Sequence, residues 1–479
     1  ADEAPVSVGG LLPDKWRLVA RDAFSGVLLW KRPVTDWGWK AWSPAQPMNL
    51  RWGNPRFIHR RLVAVEGRVY VTLGYNAPVA ALDAATGETI RVYEGTENTS
   101  EIVYHEGLLL LSVATEAKDS IKSAPTLKIQ AIQAATGERL WETGPFASLY
   151  DLGERGKSNV LKQGRLMIAA EGDRVFAVTE ADIRAFHLGD GKPAWSVPRP
   201  AAVLPGGAGK AADKKVRAAV GKMFTNLGSI MVHDGRVFYT QPHVPTRKLV
   251  NNVPLTLLCL SAETGTERWR RICGDWSYTT NLNVYAIRDL IWVHEDRRNG
   301  PYDLLGLNPE TGDVEARYDL ASVLTTRHHH RCYRNKATEN FLLMGKEGVE
   351  YVNLETGAVQ PHRWLRGMCL YGIMPANGLL YVPPQACSCN PMTMLQGYWA
   401  LAAKRDGGRE SRDNGSGDGR LQRGPAFGEV VDQRSSSVED PSDWPMHRRD
   451  PLRSGATQVG VGTNLREAWK TPLGGRLTG

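Results

Sequence analysis

Several features are scarce in this 479-residue chain, and each scarcity removes a class of answer. No uninterrupted apolar stretch approaches the roughly 20 residues that a membrane-spanning helix needs. Helical periodicity is thin, because the apolar segments are short and bounded by Gly or Asn, so an all-α bundle is excluded. Cysteine is sparse, with six residues, and no Cys-x-x-Cys-His occurs, so covalent haem attachment has no support. The formal charge of +8 does not imply a nucleic-acid partner. The basic runs 210–215 and 268–271 are short and lack the interleaved aromatics on which bases stack. What remains, with 42% hydrophobic and 23% charged residues, is ordinary core-forming material.

One phrase recurs through most of the chain. Ala81-Leu82-Asp83-Ala84-Ala85-Thr86-Gly87 is its clearest copy, and Ala131-Ile132-Gln133-Ala134-Ala135-Thr136-Gly137 with Trp141 is nearly identical. Leu260 to Gly265 with Trp269, Leu307 to Gly312 and Asn353 to Gly357 follow. Ala20 to Gly26 with Trp30, and Leu188 to Gly191 with Trp195, are looser copies. Before each phrase lies a Gly-bounded apolar run, such as Gly67-Arg68-Val69-Tyr70-Val71-Thr72-Leu73, which reads as a strand. Asp and Thr supply side chains that bond nearby amides, and Gly accepts positive φ, so the phrase itself reads as a turn. The aromatic beyond it falls on the returning strand, where it is expected to pack against the neighbouring unit.

A small antiparallel sheet repeated in this way cannot bury both faces alone and needs neighbours on both sides. The expected fold is therefore all-β, a β-propeller of four-stranded antiparallel blades. The turn glycines stand 45 to 74 residues apart, against roughly 40–50 residues for a four-stranded blade, so the longer intervals hold insertions. Seven blades are expected, or eight if residues upstream supply another. The segment Cys369 to Ala402 lacks its returning strand, and Trp16-Arg17-Leu18-Val19-Ala20 is expected to complete it. The 15 tryptophans suit one large aromatic per blade interface better than a scatter of binding anchors.

The phrase Ala-x-Asp-Ala-x-Thr-Gly-x-x-x-Trp resembles the repeat of pyrroloquinoline-quinone-type (PQQ-like) propellers over about residues 15–402. That superfamily takes in quinoprotein alcohol dehydrogenases and a non-enzymatic propeller lipoprotein of outer-membrane assembly. The wording outside the repeats, including Ala20 to Phe24, Arg331 to Thr338 and Pro375 to Tyr381, is similar to large PQQ-like proteins of planctomycete-type bacteria. The resemblance implies a bacterial protein exported to the periplasm or cell surface. An enzyme of this superfamily would hold PQQ on the propeller axis between a Trp floor and an adjacent Cys-Cys disulfide, beside a Ca²⁺ ion. Here no two cysteines are adjacent, and no segment matches the calcium ligands or the catalytic Asp, so none is carried over.

Residues 1–402 are thus expected to form the propeller, and 403–442, rich in Arg, Asp, Gly and Ser, a polar linker. Asp443-Trp444-Pro445-Met446-His447 and the residues after it resemble the opening of another PQQ-like propeller. Residues 443–479 are accordingly expected to begin a second, truncated one.

Three functional readings follow. The leading one is a binding or assembly scaffold without evident catalysis, engaging a protein, polysaccharide or small molecule. Its expected site lies at Arg331, Lys336, Trp364 and Arg366, a polar stretch that departs from the repeat. The same residues also suit simple ring closure. The second reading is a PQQ- and calcium-dependent dehydrogenase of alcohols or sugars, for which the cations offer partners to an acidic ligand. The third is a Cu(I) or Zn(II) site from His328, His330, Cys332, Cys387 and Cys389, whose imidazoles and thiolates are suitable ligands. Competing with it, an even count of Cys259, Cys273, Cys332, Cys369, Cys387 and Cys389 in an exported protein favours disulfides. Cys259 and Cys273 flank one Thr-Gly turn and are candidates to face each other.

Overall fold

The computed structural model describes residues 16–34, 58–115, 126–147, 149–150, 164–200, 228–242, 253–275, 284–296, 302–323, 333–346, 348–367, 371–383, 397–403, 443–457 and 460–471. Among them the only helical element is a single 3₁₀ turn, Ile58–Arg60. Seven antiparallel meanders form the propeller. Blades 1 to 6 span 62–93, 99–147, 167–198, 229–275, 285–319 and 336–362. Blade 7 takes three strands from 374–403 and its fourth from Leu465–Thr471.

Burial grades outward across each blade. The second strand of blade 2, Leu108–Ala114, is buried at six successive positions, because neighbouring blades cover both of its faces. The outermost strand of blade 5, Val314–Asp319, alternates partly buried with exposed residues. The core is therefore a set of layers between blades. One cluster runs from Val63 in blade 1 through Leu110 in blade 2 to Phe186 in blade 3.

The recurring phrase does what its chemistry requires. In blade 1, Asp83 Oδ1 accepts hydrogen bonds from the amides of Ala85 and Thr86 at 2.9 and 2.8 Å, and Gly87 takes φ +73°. Gly26, Gly137, Gly191, Gly265, Gly312 and Gly357 all share the positive φ. After the turn the register shifts at a fixed place, between Ala81/Leu82, Ala185/Phe186, Cys259/Leu260 and Gly306/Leu307. This bulge re-aims the returning strand. The aromatic then lies face-on against the next blade's turn glycine. A Cβ added to Gly191 would sit 2.6 Å from Trp141, and one on Gly265 2.6 Å from Trp195. Each indole also donates Nε1–H to a turn carbonyl, Trp30 to Ala84, Trp141 to Leu188, Trp195 to Ala262 and Trp269 to Pro309, at 2.7–2.9 Å. Blade 5 uses Tyr318 on Gly357 instead.

Two expectations about the ends of the chain are corrected. Trp16–Arg21 does not complete blade 7; it pairs with Leu28–Val34 in its own hairpin. Its Asp22–Gly26 turn closes locally, which costs far less chain entropy than a pairing across the whole ring. The hairpin stands between blade 7, where Tyr381 Oη donates to Ala23 O at 2.9 Å, and blade 1, where Trp30 docks. The strand that completes blade 7 comes from the segment expected to open a second propeller. Leu465–Thr471 pairs with Tyr398–Ala403, with the same bulge between Ala400 and Leu401. Ala456–Thr457 adds a parallel edge to the innermost strand of blade 6, Lys336–Thr338. The described residues of 443–471 thus pair with the first ring.

Candidate functional site: a propeller axis filled by its own chain

Residues 444–457 run across the inner strands of the blades. Pro445 O accepts the amide of Ala64 in blade 1 at 2.7 Å. Pro451 O and Leu452 O accept Ala170 of blade 3 and Val232 of blade 4, both at 2.9 Å, and Gly455 O accepts Ala337 of blade 6 at 3.3 Å. Arg448 Nη2 donates to Val284 O at the start of blade 5, at 2.7 Å. Arg453 reaches blades 2 and 3, through Nη2 to Glu101 Oε1 at 2.5 Å and Nε to Ile168 O at 2.9 Å. One short segment therefore touches six blades, and the strand that follows it completes the seventh. Its irregular backbone suits the task. Arg448, Arg449 and Arg453 adopt φ of +61°, +76° and +64°, turning the chain so that successive carbonyls meet different blades. Asp450 steadies these turns by accepting the amide and hydroxyl of Ser454 at 2.9 and 2.5 Å.

The surroundings are strongly cationic. Arg60, Arg448 and Arg453 are buried, as are Glu101 and Asp450. Glu101 bridges Arg60 and Arg453, at 3.0 and 2.5 Å. Lys336 adds a further cation; its ammonium lies 5.7 Å from the Trp444 ring centre and 3.5 Å from Arg334 O. Burial, aided by the charges of Arg334 and Arg448, brings its pKa down to about 7. Arg448 itself falls to about 10, chiefly through burial. His447 lies against His59, ring centres 4.5 Å apart. Burial and then the Arg60, His59, Arg453 and Arg334 charges hold it well below the ordinary histidine range, so it is neutral at pH 7.

Of the residues expected to form the site, Lys336 starts the innermost strand of blade 6 and lies at this axis. Arg366 is buried, at 1% exposure. Trp364 follows the outermost strand of blade 6, Val359–His362, and is 45% exposed with its edge against the His362 ring. The structure does not bring it beside Lys336. Arg331, His328, His330, Cys332, Cys369, Cys387 and Cys389 lie outside the described residues. Among the described residues no group of three metal-ligating side chains occurs.

Cys259 and Cys273 are buried on adjacent strands but do not face each other. Cys259 is opposite Trp269 and Cys273 opposite Leu255, so the two are offset by four positions. That is ~13 Å along a strand, too far for a disulfide. Burial pushes the Cys259 thiol up to about 12, which makes it a core side chain rather than a nucleophile or metal ligand. The axial residues Arg448, Arg453 and His447 were missed by sequence reasoning. Their signal in the sequence is His447-Arg448-Arg449-Asp450-Pro451-Leu452-Arg453, which reads there as the opening of another propeller.

A quinone cofactor fits this axis poorly. The superfamily arrangement needs an open axial chamber, whereas residues 444–455 hydrogen-bond to the inner strands around the ring.

Residues 125–363 match the family model described as outer membrane protein assembly factor BamB. Among solved structures, BamB from Moraxella catarrhalis is 12% identical with a TM-score of 0.45, over 78% of this chain and 96% of that one. The quinohemoprotein alcohol dehydrogenase ADHIIG from Pseudomonas putida is 15% identical with a TM-score of 0.34, over 71% of this chain and 57% of that one. The corresponding enzyme from Comamonas testosteroni is 14% identical with a TM-score of 0.36, over 72% and 53%. No curated protein matches the chain.

Proposed function

This chain is a β-propeller of PQQ-like repeats, and from that premise we propose that it is a binding or assembly scaffold, exported to the periplasm or cell surface, that engages a protein partner. The observation that carries the reading is the filled axis. Residues 444–457 occupy the place where a propeller of this kind would carry a cofactor, and they do so with backbone hydrogen bonds and buried arginines. A ring closed and filled in this way is rigid, and its recognition surfaces lie on the outside, where residues vary without disturbing blade packing.

The rim supplies such a surface. Val27, Leu28 and Leu29 of the hairpin, and Ile90 and Val92 on the outermost strand of the adjoining blade 1, are each between 41% and 58% exposed. Apolar side chains gathered on outer strands are what a partner buries. The match of residues 125–363 to an outer-membrane assembly factor agrees with a protein partner.

The competing reading is the PQQ- and calcium-dependent dehydrogenase, and one titration separates the two. Tryptophan fluorescence of the full chain, followed against PQQ with and without Ca²⁺ and corrected for PQQ absorption, is expected to show no saturable quenching. Saturable, calcium-dependent quenching would overturn the scaffold reading. Leu28→Asp and Val92→Lys then test the rim: both are expected to keep the melting temperature and to lose the envelope protein that crosslinks to the wild type.

A further inference from the structure

Lys336 belongs to the innermost strand of blade 6 and Arg448 to the axial segment, and Gly455 is bonded to the backbone beside each. The Gly455 amide donates to Arg448 O at 2.9 Å, and its carbonyl accepts Ala337 N, the residue next to Lys336, at 3.3 Å. A Cβ on Gly455 would lie 3.4 and 3.5 Å from Arg448 Nη2 and Nε and 3.2 Å from the Tyr285 ring, so the glycine lets the guanidinium lie flat against the chain. Arg448 is 7% exposed. Its Nη2 is satisfied by Val284 O, but Nε and Nη1 meet no acceptor. The Nε2 atom of His447, on the adjacent residue, is likewise buried without a partner. Lys336 has one long contact to a carbonyl and the face of Trp444.

The carboxylates of the axis are committed elsewhere, Glu101 to Arg60 and Arg453, and Asp450 to Arg449 and Ser454. Buried cationic donors are retained where an acceptor of opposite charge meets them, since an unmet buried donor costs about 1–3 kcal/mol and a charged one more. Arginine in particular suits planar or tetrahedral oxyanions.

We infer that Arg448, which is buried, and Lys336, which is half-buried, form an oxyanion site beside Gly455 that takes a phosphate or carboxylate group and thereby fixes the axial segment to blades 5 and 6. Arg448 donates through Nε and Nη1, Lys336 through its ammonium, and Trp444 shields the site on the lysine side. The site is assembled only when residues 444–457 are docked, so the anion and the docked segment stabilise each other. This inference stands apart from the scaffold reading and from the identity of any protein partner.

The test is isothermal titration calorimetry of the full chain with inorganic phosphate and, separately, with succinate, at constant ionic strength in chloride. Melting curves under the same conditions accompany it. One saturable site is expected, with a rise in melting temperature that follows its occupancy. Binding of phosphate alone assigns the site to phosphate-bearing ligands, and binding of succinate alone to organic acids. Arg448→Gln is expected to weaken binding more than tenfold and Lys336→Met about tenfold, while Lys192→Gln on the surface changes nothing. Lys336→Met keeps the test decisive if Arg448→Gln fails to fold, because the Lys336 side chain makes only a long contact to Arg334 O and faces the Trp444 ring. Absence of saturable binding in the wild type, or equal binding in wild type and Lys336→Met, overturns the inference.

Discussion

Gly265 shows how much one residue of the repeat is asked to do. It takes φ +73°, and its bare α-carbon is the surface on which Trp195 lies. Gly235, in a strand-to-strand turn of the same blade, has nearly the same φ, +68°, but open space where a Cβ would go. Gly235→Ala therefore measures backbone strain alone, roughly 1–2 kcal/mol. Gly265→Ala adds displacement of an indole, at about 1–3 kcal/mol more for overpacking. Denaturant melts of the two variants are expected to differ by that second amount, and equal losses would mean that the stacking contributes nothing.

Lys336 sets a pH dependence on the same scale. Its pKa falls from the ordinary 10.5 to about 7, so the unfolded chain binds the proton more readily than the folded one. Stability from this group is therefore complete above about pH 10.5, falls progressively as pH drops from there, and is gone once pH has fallen through about 7. His447, shifted in the same direction, adds a loss that begins below about pH 6.5. In chloride buffer free of polyvalent anions, Lys336→Met is expected to flatten the stability profile between pH 10 and 7. An unchanged slope would remove Lys336 from the account.

Among the elements, the buried triad at Glu101 is the most exposed to single substitutions. Glu101, itself 2% exposed, ties Arg60 just before blade 1 to Arg453 of the axial segment. Glu101→Gln leaves two buried guanidinium groups without their counter-ion, and loss of one partner of a buried pair costs about 3–5 kcal/mol. The midpoint of denaturant unfolding is expected to fall accordingly. Glu66→Gln, on an exposed turn, is the control.

Elements also mark where the sequence was legible. The turn Asp83–Gly87 and its partner Trp30 were readable because the chemistry is local: an Asp, a Thr, a glycine and an aromatic a few residues on. The destination of Leu465–Thr471 was not, because a returning strand has the same pattern whichever ring it completes. Its partner strand, Tyr398–Ala403, is more than sixty residues away, and no local rule selects it. Cys259 and Cys273 failed differently. Both flank the turn as expected, but the bulge at Cys259/Leu260 and the unequal distances from the turn set them four positions apart. Lys336 starts the innermost strand of blade 6, whereas its expected companion Trp364 follows the far strand of the same blade.

At the scale of the whole molecule, the axial segment makes distant blades answer to one event. The amides of Ala64, Ala170 and Val232 belong to blades 1, 3 and 4, yet each donates to a carbonyl of residues 445–452. Each acceptor belongs to a segment that the other blades hold as well. If the segment docks as a unit, the three amides share one opening free energy in native-state hydrogen exchange. Glu101→Gln, which loosens Arg453, is expected to accelerate all three by the same factor. Amides within a blade, such as Leu110 between two paired strands, respond only to global unfolding and are expected to exchange more slowly. Three separate rates, with only the nearest amide responding to Glu101→Gln, would mean that the blades hold the segment independently. A common rate would mean that the centre of the ring is a single cooperative lock.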